Sequence, residues 1–136
     1  MSRVTVAQMA AHIAHLCETH EIVIEGHSRG GRAFRKERRV KIRPVKSAAT
    51  YAVALHEVGH ILGPWQSQTR LCSEAGAWMW AKEHALLWTP VMEQKLRACL
   101  ASYMHWATRR SNHVSMPEPE HPFWALLGQP APEASS

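Results

Sequence analysis

Near the middle of the chain lies His56-Glu57-Val58-Gly59-His60, two histidines four residues apart with a glutamate directly after the first. On an α-helix this spacing sets the two imidazoles about 40° apart around the axis and one turn apart along it, so both can reach one metal ion. The glutamate is adjacent to the pair without being collinear with it. That position suits a general base acting on a zinc-bound water whose pKa the ion has lowered toward neutrality. Composition points the same way. All 11 acidic residues are glutamate, which removes Ser-His-Asp triads, aspartic dyads and EF-hand loops, while histidine occurs ten times.

These groups need a helix to carry them. Ser47 has N-cap chemistry, Gly63-Pro64 is a strong stop, and between them the sequence predicts a helix reaching Leu62. Ala52, Val53, Ala54, Leu55, Val58, Ile61 and Leu62 make that helix apolar nearly all round, hence buried. Gly59 is costly inside a helix by about 1 kcal/mol and predicts a second backbone packed close beside it.

Zinc requires a third protein ligand. The metzincin spacing would place Gly at 63, which is present, and a third His at 66, where the residue is Gln66. The following helix, expected over 70–88, offers Cys72, Glu74 and Glu83. At 1.5 Å per residue His60 lies about 3 Å and Glu74 about 6 Å from the connecting turn, so their depths match, whereas Glu83 is roughly 20 Å away. Cys72 points about 160° away from Glu74 around the axis, so only one of the two can face the ion. Ala77 and Ala81 share the face of Glu74 and permit close helix contact. Glu74 is the expected third ligand, with Cys72 second to it.

The run His56-Glu57-Val58-Gly59-His60-Ile61-Leu62-Gly63, followed by Glu74-Ala75-Gly76-Ala77-Trp78-Met79-Trp80-Ala81, resembles the ImmA/IrrE-type metallopeptidases found in phages and mobile elements. The likeness covers roughly residues 35–90. It implies a minimal zincin-like, gluzincin-type α+β fold, His56, His60 and Glu74 as zinc ligands, and Glu57 as catalytic base.

Around this centre the pattern predicts a first helix over about 5–19, opened by a Thr5–Gln8 capping box. Thr89-Pro90 opens a fourth helix running to Arg109-Arg110. Residues 1–110 form one expected domain, and 111–136 a Pro-, Glu- and Ser-rich tail that docks through Pro122–Leu127 and ends in disorder. A hairpin of 22–26 with 33–43 is expected to supply the sheet.

Charge is concentrated in that hairpin. Between Arg29 and Lys46 stand nine basic residues and one glutamate, a net of +8 against +5 for the whole chain. Val40 and Ile42 alternate with Arg39, Lys41 and Arg43, the pattern of a half-buried edge strand. An extended substrate pairing with Arg38, Arg39, Val40, Lys41, Ile42 and Arg43 would favour acidic or DNA-associated proteins. The alternative is a non-catalytic module that grips nucleic acid through Arg29–Lys46, its metal structural or absent. A donor to the oxyanion is also needed, with Tyr103, His84 and His105 as candidates. His12 and His15, three apart on the first helix, are expected to be structural, and the six tryptophans mainly core and cleft wall. Three cysteines at irregular spacing, no signal-like apolar core and no long apolar run point to a cytoplasmic protein without a membrane span.

Overall fold

Each of the longer helices begins where its capping side chain sits. Thr5 and Gln8 form a reciprocal capping box at the start of α1 (Val6–Thr19). Ser47 and Thr50 do the same for α2 (Ala48–Leu62), and Thr69 caps α3 (Arg70–His84). Thr89 followed by Pro90 opens α4 (Pro90–Thr108). The computed structural model describes residues 3–27, 29–110 and 114–131. The expectation of a disordered end falls on 132–136, outside the described residues.

The chain is α+β, with five helices and one small mixed sheet among the described residues. Strands β1 (Val23–Gly26), β2 (Gly31–Phe34) and β3 (Arg39–Ile42) lie in the order β1-β3-β2. This corrects the expected hairpin in two ways. The segment 33–43 is not one strand, because a turn at 35–38 divides it. β3 pairs parallel to β1, Ile24 opposite Val40, and antiparallel to β2, Ala33 opposite Val40. The turn closes with Arg38 in the left-handed region at φ 50°. A tertiary contact holds it there: the Arg38 guanidinium donates to the His20 carbonyl at the end of α1. β3 is therefore the central strand, with Val40 and Ile42 buried beneath it.

Helix α2 lies against β2 and β3 on one side and against α1, α3 and α4 on the others. Tyr51, Ala52, Leu55 and Val58 on α2 are fully buried, as are Leu71 and Ala75 of α3 and Met92, Leu96 and Leu100 of α4. Gly59 meets the backbone of α3 at Ala77, the close approach expected of it. Helix α3 ends at His84, four residues short of expectation. The amide of Leu86 donates to the Tyr51 hydroxyl at 3.0 Å, so a side chain of α2 takes the bond that would have continued the helix. Tyr51 is tied on its other side to His12 Nδ1 at 2.6 Å, which gives His12 a structural place.

The tail segment forms α5 (Pro122–Leu127), which buries Phe123, Trp124 and Leu127 against α3 and α4. His121 caps it, and its ring packs against Trp65 in the turn between α2 and α3. No helix among the described residues is long and apolar enough to cross a membrane.

One buried and one half-buried thiol give the fold an alkaline limit. Burial pushes the Cys17 thiol up to about 11, and burial foremost does the same for Cys99. In the unfolded chain these groups ionise near 9, so the stability they allow is complete below that pH and is lost as pH rises from about 9 to about 11. The urea midpoint is expected to fall across that window, and Cys17→Ala to flatten the fall while lowering the plateau.

Candidate metal centre

α2 and α3 meet at equal depth from their connecting turn, and the meeting places three polar side chains face to face. His56 Nε2–H donates to Glu74 Oε1 at 2.8 Å, and His60 Nε2 lies 2.9 Å from Glu74 Oε2. Glu74 is 1% exposed, so this carboxylate has left water for the two imidazoles. Burial alone would raise its pKa, but the bonds from His56 and His60 outweigh that and bring it down to about 2. His60 shows the converse. Burial lowers its pKa, and the Glu74 bond and charge more than offset this, so the net shift is upward. His56 is fixed from behind by Trp78, whose ring stacks on it at 4.3 Å and 16°.

Two imidazole nitrogens and one carboxylate are a catalytic zinc set. Ligands at 2.0–2.1 Å around a tetrahedral ion stand about 3.3 Å apart, so the observed separations would open by only roughly 0.5 Å. By type, the donor set fits the ion. Among the described residues, two groups of three have all their ligating atoms within 4.8 Å of one another: His56, Glu57 and His60, and His56, Glu74 and Cys99 of α4. The competing thiol is thus Cys99, approaching from α4. Cys72 is buried but belongs to neither cluster.

Glu57 sits beside this group, with its Oε1 3.9 Å from His56 Nδ1. It is 6% exposed, and burial raises its carboxyl pKa against the lowering pull of His56 and His60. Gly31 of β2 makes the room for it, since a Cβ there would stand 2.6 Å from Glu57 Oε2. His56, Glu57, His60 and Glu74 form part of the wall of an open cleft of about 850 Å³.

Residues 31–35 all line this cleft. Both parities of β2 are included, so it is the strand's free edge that borders the cleft. The expected substrate strand Arg38–Arg43 is corrected accordingly: as the central strand β3 has its main-chain groups committed on both sides. Much of its charge is also committed locally. Arg39 bonds Glu25 and Glu37 and lies 4.1 Å over the Phe34 ring, and Lys41 lies near the same ring. The cationic groups that do reach the cleft are Arg32, Arg35 and Arg70.

Among the three oxyanion candidates, Tyr103 lines the cleft. Burial, with the Glu74 charge behind it, pushes its phenol up to about 12. His84 is turned away, with Nδ1 on the Trp80 carbonyl and its ring stacked on Trp80. His105 is exposed on α4 and is absent from the cleft wall. Sequence reasoning missed Trp106 and Ser102, one turn or less from Tyr103 on α4, and it set Gln66 aside as a poor ligand although the cleft includes it. A weighting of α4 by its face toward Tyr103 could have found the first two. No family model matches the chain, and neither a curated protein nor a solved structure shows a significant match to it.

Proposed function

We propose that the chain is a zinc-dependent metallopeptidase of the gluzincin type, a minimal zincin-like fold with α2 as its central helix, similar in kind to the ImmA/IrrE metallopeptidases and acting in the cytoplasm. The observation that carries this reading is the convergence of His56 and His60 Nε2 on the two oxygens of Glu74, with Glu57 beside them on the wall of an open cleft. A zinc ion held by His56, His60 and Glu74 would supply Lewis acidity toward a peptide carbonyl and toward water.

The chain's own residues do the rest. Glu57, buried and with a raised pKa, accepts the proton of the attacking water and returns it to the leaving amine as the C–N bond breaks. Tyr103 keeps its phenolic proton well above neutral pH and donates to the carbonyl oxygen as charge develops there. The free edge of β2 pairs with an extended substrate, which aligns the scissile bond over Glu57. Arg32, Arg35 and Arg70 give the cleft a positive wall that favours acidic or DNA-associated protein substrates.

Elemental analysis of the purified protein is expected to find about one zinc per chain, and chelation to abolish cleavage of a peptide library. A metal-free protein whose stability is unchanged by chelator would overturn the reading. Joint reversal of Arg32 and Arg35 to Glu is expected to lower kcat/KM on acidic peptides by about tenfold or more and to spare neutral ones. Equal loss on both peptide classes would remove the substrate assignment while leaving the chemistry in place.

A further inference from the structure

Gln66 stands in the turn between α2 and α3, where the chain passes Trp65 in the left-handed region at φ 63°. Its amide group is fully spoken for. Nε2 donates to the Pro64 carbonyl at 3.0 Å and to the Ser73 carbonyl at 2.9 Å. An amide nitrogen has two protons, so both are used and the group cannot flip without placing its oxygen against two carbonyls. Oε1 is thereby aimed at His60 Nδ1, 2.9 Å away, and it also accepts from Ser73 Oγ at 2.8 Å. An amide oxygen only accepts, so Nδ1 of His60 must carry the proton. The nitrogen left to face Glu74 and the cleft is Nε2.

We propose that Gln66 is the positioning residue of the metal centre: it fixes the ring orientation of His60 and the tautomer in which Nε2 is the ligating nitrogen. The inference rests on the zinc reading and extends it to a residue that is not itself a proposed ligand but bonds one. Its physical basis is the general dependence of histidine ligands on an acceptor at the second ring nitrogen. The residue that sequence spacing had set in the place of a third histidine ligand serves an existing histidine instead.

The test compares zinc affinity, by competition with a chromogenic chelator, in the full-length wild type, Gln66→Met and Ser73→Ala. Gln66→Met keeps the side-chain length and removes the acceptor, and is expected to weaken zinc binding by about 10–100-fold. Ser73→Ala removes the other bond to Oε1 and a longer contact of Ser73 Oγ with His60 Nδ1 at 3.4 Å, leaves His60 its shorter bond to Gln66, and is expected to stay within about threefold of wild type, below the range expected for loss of the Gln66 acceptor itself. Wild-type affinity in a folded Gln66→Met would overturn the proposal. A second readout does not depend on either variant folding. Long-range ¹⁵N–¹H spectra of the zinc-loaded wild type are expected to show the His60 ring proton on Nδ1; a proton on Nε2 overturns the proposal. A wild type that binds no zinc would overturn the zinc reading itself, and this inference with it, an outcome distinct from a zinc-binding wild type whose affinity ignores Gln66.

Discussion

Glu57→Gln is expected to lower kcat for peptide cleavage by about 10²–10⁴-fold, the range for loss of a general base, while zinc content and fold are retained. Glutamine has the shape of glutamate, so it fits the space that Gly31 leaves beside the helix. What it lacks is a group able to accept the proton of the attacking water. Burial already disfavours the ionised form of Glu57, so a neutral amide there is expected to hold or slightly raise the unfolding midpoint. Initial-rate kinetics on a quenched peptide, with zinc analysis of the same preparation, check both halves. Retained hydrolysis at full zinc occupancy would exclude Glu57 as the base; loss of zinc together with activity would make it part of the binding site.

Gly59→Ala is expected to destabilise the protein by about 2 kcal/mol, the upper end of the overpacking cost less the helix gain, and to weaken zinc binding at the same time. Two effects oppose each other. Alanine gains about 1 kcal/mol over glycine in a helix interior. The added Cβ, however, would press on the Ala77 backbone of α3, which cannot rotate away as a flexible side chain would. Overpacking of this kind costs about 1–3 kcal/mol and sometimes more, and here the yielding part is the α2–α3 interface itself. Since His60 and Glu74 stand on opposite sides of that interface, separating the helices also separates the ligands. Thermal unfolding with and without zinc is the measurement, with a fall of roughly 5–10 °C expected in the metal-free midpoint. A variant as stable as wild type would show that α2 and α3 are not held at the separation described.

The two predictions differ in how far their grounds are visible in the chain. Glu57 and the two histidines lie within one helical turn, and a periodic apolar sequence with Ser47 before it and Gly63-Pro64 after it is enough to place them on a buried helix. The pairing of His60 with Glu74 follows almost as directly, because a short turn forces two antiparallel helices to match depth. Gly59 announces a close neighbour by its cost, though not which backbone supplies the contact.

The sheet was beyond that kind of reasoning. Four-residue strands have no periodicity strong enough to fix partners, and the turn at 35–38 contains neither Gly, Pro nor Asn. A local bond from the Arg38 amide to the Arg35 carbonyl closes it, and the Arg38 guanidinium ties it to the His20 carbonyl, eighteen positions away at the end of α1. The pairing on either side of this turn puts the basic run at the centre of the sheet and leaves β2 to border the cleft. The same reason explains the early end of α3 at Tyr51's hydroxyl, the approach of Cys99 in place of Cys72, and the docking of α5 through Phe123 and Trp124.

What the sequence by itself determined, then, is the four longer helices, the end of α3 aside, and the grouping of His56, Glu57 and His60 on one of them, since capping, periodicity and helical spacing act between residues within about a turn of each other. What only the tertiary structure decided is which strand edge and which charges meet the cleft, which candidate donor faces it, and that Gln66 serves His60. Those depend on contacts between elements far apart in the chain, which local preference does not encode.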